Sequence, residues 1–187
     1  LENQIDTFHS CGITDIIIVT GYCSESIRIP NIKYYKNENF DSTNMIESLF
    51  CAKSELDENV IISYGDIIFE GKNLDLLINS KEDISVVIDK GWKSYWQARS
   101  EDPLDDAETL KLRADGVIME IGQLPKTLEE IEGQYIGLMK FSAKGVRQIK
   151  QIFRDAVKTS ELLGKPLENS YMTDLLQATI NKGFLVT

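Results

Sequence analysis

Three times in this chain a short apolar run, rich in β-branched residues, breaks off at a glycine or an aspartate. Ile16–Val19 leads into Thr20-Gly21, Val60–Tyr64 into Gly65-Asp66, and Ile84–Ile88 into Asp89. Such runs read as strands of a parallel sheet buried on both faces. Segments of helical period separate them. Leu1, Ile5 and Phe8 share one helical face, and Gly12 suits the stop. Asn44 is placed to cap a helix, with Glu47 completing a capping box and Met45, Leu49, Ala52 and Leu56 as the buried stripe. Leu74–Ile78 is helical, Ser142 caps a long helix running to about Leu163, and Met172, Leu175, Leu176 and Ile180 mark a last helix closed by Gly183. Ile32–Tyr35, Tyr135–Phe141 and Phe184–Val186 read as further strands, and Asp115-Gly116 between Leu110–Arg113 and Val117–Ile121 signals a hairpin. Alternating helices and strands predict an α/β fold: a mostly parallel mixed sheet, helices on both faces and a small inserted hairpin. The length of 187 residues suits a single domain over 1–187.

The formal net charge of -10 argues against a nucleic-acid surface, which needs a basic patch. It leaves room for a small phosphate ligand held by a few local cations or by a carboxylate-bound metal. The apolar runs are too short to span a bilayer, so no membrane partner is expected. Cys11, Cys23 and Cys51 form no CxxC pair and are odd in number, which fits reduced thiols in a cytoplasmic protein. His9 is the only histidine, which argues against triad and His-rich metal chemistry. Carboxylates, lysines, a metal or substrate positioning must do any chemistry. Homo-oligomerisation stays open.

In open α/β sheets ligands bind beyond the carboxyl ends of the strands. Asp66 stands there beside a glycine, suited to hold Mg²⁺ on nucleotide phosphates or, more plainly, to shape a turn. Asp106 and Glu108 point to one side of an extended segment, and Lys111 follows as a phosphate partner; the plainer reading is a solvated acidic loop, Glu101–Asp106, before a strand. Trp92, Tyr95 and Trp96 cluster near Arg99. Their faces suit an ammonium group and the guanidinium suits a phosphate or phosphonate, or else the rings simply cover the sheet edge. Tyr135 has the same two readings.

The ordered set Thr43-Asn44-Met45 with Ser48-Leu49, Tyr64-Gly65-Asp66, Trp92 through Arg99, Asp106-Ala107-Glu108 and Gly133 through Gly137 resembles the sugar-phosphate nucleotidyltransferase superfamily. Within it the set is similar to cytidylyltransferases acting on phosphocholine or aminoethylphosphonate. The resemblance implies a Rossmann-like nucleotidyltransferase fold, an NTP substrate (CTP), a small phospho- or phosphono-compound as acceptor, and Mg²⁺. It implies Asp66 as metal ligand and, with Lys111, as catalytic residue. Asn44 and Ser48 would lie near the nucleotide. Trp92, Trp96, Arg99, Asp106, Glu108 and Tyr135 would hold the second substrate. The family also carries a glycine-rich loop strand before the part matched here and a metal-binding aspartate strand after it. Neither is found between Leu1 and Thr187. Competing expectations are a sugar-phosphate acceptor, a nucleotide-binding domain without catalysis, a glycosyltransferase and a dinucleotide-binding protein. The last two lack their Asp-x-Asp and GxGxxG motifs. The tryptophans beside acidic residues favour a small zwitterion over a sugar.

Overall fold

The computed structural model describes residues 1–99 and 102–187, so part of the acidic loop at 101–106 lies outside the described residues. In chain order the elements are α1 Glu2–Ser10, β1 Ile17–Thr20, β2 Lys33–Lys36, α2 Met45–Cys51, β3 Val60–Ser63, α3 Gly71–Asn79, β4 Ile84–Asp89, α4 Trp92–Arg99, β5 Leu110–Leu112, β6 Ile118–Ile121, β7 Gln134–Phe141, α5 Ala143–Thr159, β8 Glu161–Leu162, β9 Lys165–Pro166 and α6 Met172–Asn181. This is the α/β class expected from the alternation.

The sheet is mixed. β1 and β2 pair in parallel, with Ile17 opposite Lys33. β7 lies between β3 and β4 and is antiparallel to both, so β3 and β4 run the same way. The expected last strand is reduced to a bridge. Thr187 donates its N–H to Ile84 O (3.1 Å) and accepts from Val86 N (2.7 Å), the pattern of a parallel pair. Val186 O accepts from Ile118 N at 2.8 Å, which ties the β5–β6 hairpin to the same segment.

Alternation along the strands divides the core in two. Val60, Ile62, Val86, Ile88, Met139 and Phe141 pack with Ile46 and Phe50 of α2, Ile149 of α5 and Leu175 of α6. Ile61, Val87, Ile136 and Leu138 point the other way, onto Leu74 and Leu77 of α3 and Phe8 of α1. Helices therefore cover both faces. Each fully buried aliphatic side chain stabilises the fold by about 1.5–3 kcal/mol.

Tertiary contacts displaced several boundaries. α2 buries Ile46 and Phe50 while Met45 is exposed, because Phe50 stacks on Phe153 of α5 at 3.6 Å and 8°. Asn44 sits at the N-cap without a side-chain cap bond; its amide donates to Asn169 O instead (3.0 Å). α5 stops at Thr159, where Ser160 turns to φ 57°, and the β8–β9 hairpin follows. β1 is only half-buried at Ile17–Val19, since among the described residues β2 alone pairs with it. Trp92–Arg99 forms a helix the sequence reading left unassigned, although Trp92, Tyr95, Trp96 and Arg99 fall at i, i+3, i+4 and i+7. Among the described residues no helix is long and apolar enough to cross a membrane.

Candidate active site at the strand ends

Asp66 lies in the turn just beyond β3, exposed, and makes no hydrogen bond or ion pair with the described residues. The turn is pinned from two sides. Tyr64 N donates to Gly137 O at 2.9 Å, extending the β3–β7 ladder. Buried Gln4 of α1 donates its amide to Tyr64 O (2.8 Å) and to Ile67 O, straddling the turn. Nothing in the spacing of α1 marked Gln4; only its position on an otherwise apolar helical face was a clue. Gly137 has φ 84°, and a Cβ there would stand 2.5 Å from the Tyr64 ring. Only glycine permits that approach.

Tyr64 and Tyr135 meet edge-to-face with centroids 5.8 Å apart. Burial pushes the Tyr64 hydroxyl up to about 12, and the charges of Glu108 and Asp66 add to the rise. Burial also raises Tyr135, with Tyr64 and Glu108 contributing; its hydroxyl donates to Met139 Sδ at 3.4 Å. Tyr64 therefore lies in the field of both carboxylates. Glu108 is half-buried. Burial raises its carboxyl first of all, Asp174 and Asp106 push the same way, and Thr173 and Lys165 oppose them. Thr173 Oγ1 donates to Glu108 Oε1 at 3.3 Å. Buried Gln134 holds the Glu108 backbone like a paired strand: its Oε1 accepts from Glu108 N (3.3 Å) and its Nε2 donates to Glu108 O (2.7 Å). Beside them Lys165 Nζ meets Asp174 Oδ1 at 2.8 Å, and Asp174 Oδ2 accepts from Tyr171 N at 2.8 Å.

Asn44 and Ser48 stand at the start of α2. Asn44 N donates to Glu168 O at 2.8 Å, and Ser48 Oγ accepts from Asn37 Nδ2 at 3.0 Å. Asn37 is buried just past β2 and also donates to Thr43 Oγ1 (2.9 Å). Burial raises the Glu47 carboxyl, and Glu168 adds to it.

The other expected site residues are differently placed. Lys111 is shared between Glu120 (3.1 Å) and Glu130 (3.2 Å) on the hairpin side, which corrects the picture of a free phosphate cation. Trp92 is 4% exposed and packs with Ala107 and Ile131, so it is core, not a ligand face. Trp96 and Tyr95 carry the Arg99 guanidinium 5.2 and 5.4 Å over their rings. Arg99 in turn pairs with Asp106 at 3.4 Å. Asp106 and Glu108 thus have different partners, Arg99 and Thr173.

Among the described residues no three His, Cys, Asp or Glu side chains gather into a metal cage. Mg²⁺ needs none, since one or two carboxylates and the substrate phosphates suffice, and the free oxygens of Asp66 are donors of that kind. A cavity of about 290 Å³ lies between α5, β8 and α6, and one of about 170 Å³ beside Lys144 and Gln148. Neither is lined by Asp66 or Glu108.

No protein-family model matches the chain. It is 37% identical over 193 residues to the CTP:phosphoglutamine cytidylyltransferase of Campylobacter jejuni, covering 97% of this chain and 76% of that protein. Its fold is like that of the inositol-1-phosphate CTP transferase of T. maritima (TM-score 0.69, 14% identity, all of this chain and 70% of the other). It is also like the CTP:phosphocholine cytidylyltransferase of Streptococcus pneumoniae (TM-score 0.62, 16% identity, all of this chain and 74% of the other). With the residue pattern and the α/β layers already described, these likenesses establish that the chain belongs to the sugar-phosphate nucleotidyltransferase superfamily, among its cytidylyltransferases.

Proposed function

We propose that this protein transfers a cytidylyl group from CTP to the phosphate or phosphonate of a small zwitterionic compound. An acceptor oxygen attacks the α-phosphorus, a new P–O bond forms, and the bond to the β-phosphate breaks to release pyrophosphate. The observation that carries this reading is the exposed carboxylate of Asp66 in the turn at the end of β3, unpaired among the described residues. Bound Mg²⁺ would offset phosphate charge at Asp66. The chain's own part is positioning, which suits phosphoryl chemistry. Asn44 and Ser48 border the nucleotide side, where Asn37 orients Ser48. Glu108 and Tyr135 border the acceptor side, and Arg99, which shares its charge with Asp106, is a cation for an anionic group. The 37% identical relative, named for CTP and phosphoglutamine, supports both substrate classes.

The test is pyrophosphate release by the full-length protein. Four NTPs are offered against phosphocholine, aminoethylphosphonate, phosphoglutamine and glucose 1-phosphate. CTP with a zwitterion should support turnover. Turnover only with the hexose phosphate would refute the acceptor class. Asp66→Ala should lower kcat by at least ~100-fold with an unchanged circular dichroism spectrum, the scale expected when one charge-stabilising group is lost. Unchanged rates in that variant would end the role of Asp66.

A further inference from the structure

The side chains expected to meet a positive substrate group are not equally available. The Trp96 and Tyr95 faces carry Arg99, Trp92 is buried, and Asp106 pairs with Arg99. Tyr64 and Tyr135 pack against each other. Glu108 is the exception. Its carboxylate is half-buried, makes no ion pair with the described residues, and has a single long hydrogen bond, from Thr173 at 3.3 Å. Lys165 is held by Asp174 rather than by Glu108. Lys165 acts on the Glu108 carboxylate only at longer range, and a carboxylate drawn out of water without a direct ion-pair partner is costly unless something supplies one. Gln134 fixes its backbone by two hydrogen bonds, and Thr173 holds one carboxylate oxygen.

We infer that Glu108 receives a primary ammonium group of the second substrate, and that the protein therefore prefers phospho- or phosphono-compounds bearing –NH₃⁺ over trimethylammonium ones. This rests on the cytidylyl-transfer reading above and specifies its acceptor. An –NH₃⁺ group brings N–H donors that a partly dehydrated carboxylate can accept as charge-assisted hydrogen bonds. A trimethylammonium group has no N–H and depends on open aromatic faces, which Arg99 covers here. Gln134 and Thr173 are positioning residues for this contact.

Steady-state kinetics at saturating CTP decide the matter, with phosphoethanolamine against phosphocholine, which differ only in N-methylation. The kcat/KM for phosphoethanolamine should be at least ~10-fold higher. Glu108→Gln keeps the shape and removes the charge. It should raise the phosphoethanolamine KM by about 10–100-fold, leave the CTP KM near its parent value, and erase the preference. Thr173→Val should move the phosphoethanolamine KM the same way by less. If Glu108→Gln does not fold, the wild-type preference and Thr173→Val decide. A preference for phosphocholine overturns the inference. So does a best acceptor without an ammonium group, or an unchanged phosphoethanolamine KM in folded Glu108→Gln; each leaves cytidylyl transfer standing. No turnover by the wild type with any NTP and phospho-compound overturns both.

Discussion

At Gly137 a positive backbone angle lets β7 pass under the Tyr64 ring. Gly137→Ala would force a Cβ to 2.5 Å from that ring in a conformation L-residues resist. The combined strain and overpacking should lower stability by about 2–4 kcal/mol, read from urea unfolding. Glu108 makes a second residue-scale prediction. Its folded pKa is raised, chiefly by burial, so in the window just above the ordinary carboxylate range the folded state holds a proton that the unfolded state has released. Stability therefore falls as pH rises through that window and stays lower above it. Glu108→Gln should remove this fall. Its melting temperature should match or exceed the parent's at neutral pH, and the gap should close below the carboxylate range. A gap of opposite sign, with the variant less stable only at neutral pH, would mean that the carboxylate is favourably paired in the fold.

At the scale of elements, α2 shows tertiary packing overriding a local pattern. Of the stripe at Met45, Leu49, Ala52 and Leu56, all but Met45 are buried or half-buried as expected, and Ile46 and Phe50, the latter stacked on Phe153, join the core in its place. Asn44 gives its amide to Asn169 rather than to a capping box. Phe50→Ala should cost about 3–5 kcal/mol in chemical denaturation, as for other buried aromatics. It should also raise the KM for CTP more than for the acceptor, because Ser48 and Asn44 ride on that helix. α4 carries the reverse lesson. Trp92, Tyr95, Trp96 and Arg99 had helical spacing, but reading them as a ligand cluster hid the stripe. Once wound into a helix, the same residues place Trp92 inward and lay Arg99 over the neighbouring rings.

For the molecule as a whole, Val186 is a junction. It is fully buried, its carbonyl holds the hairpin through Ile118, and the next residue bridges β4. Val186→Ala should loosen the hairpin before the β3–β7–β4 core, with amide exchange in β5 and β6 faster by roughly tenfold, equivalent to about 1.4 kcal/mol. Equal acceleration in β3 would show that hairpin and sheet open as one unit. The α/β class, most strand positions, the Asp-Gly hairpin and the aspartate after β3 were legible along the chain, because β-branched runs, glycines and helical stripes are local signals; the short β8–β9 hairpin was not. The antiparallel insertion of β7, the capture of Lys111 by Glu120 and Glu130, and the seating of Arg99 on Trp96 and Tyr95 were not. Neither was the clamp of Gln134 on Glu108. Each joins residues distant along the chain, or selects among several possible ion-pair and ring partners, and only the packed fold brings one partner within reach.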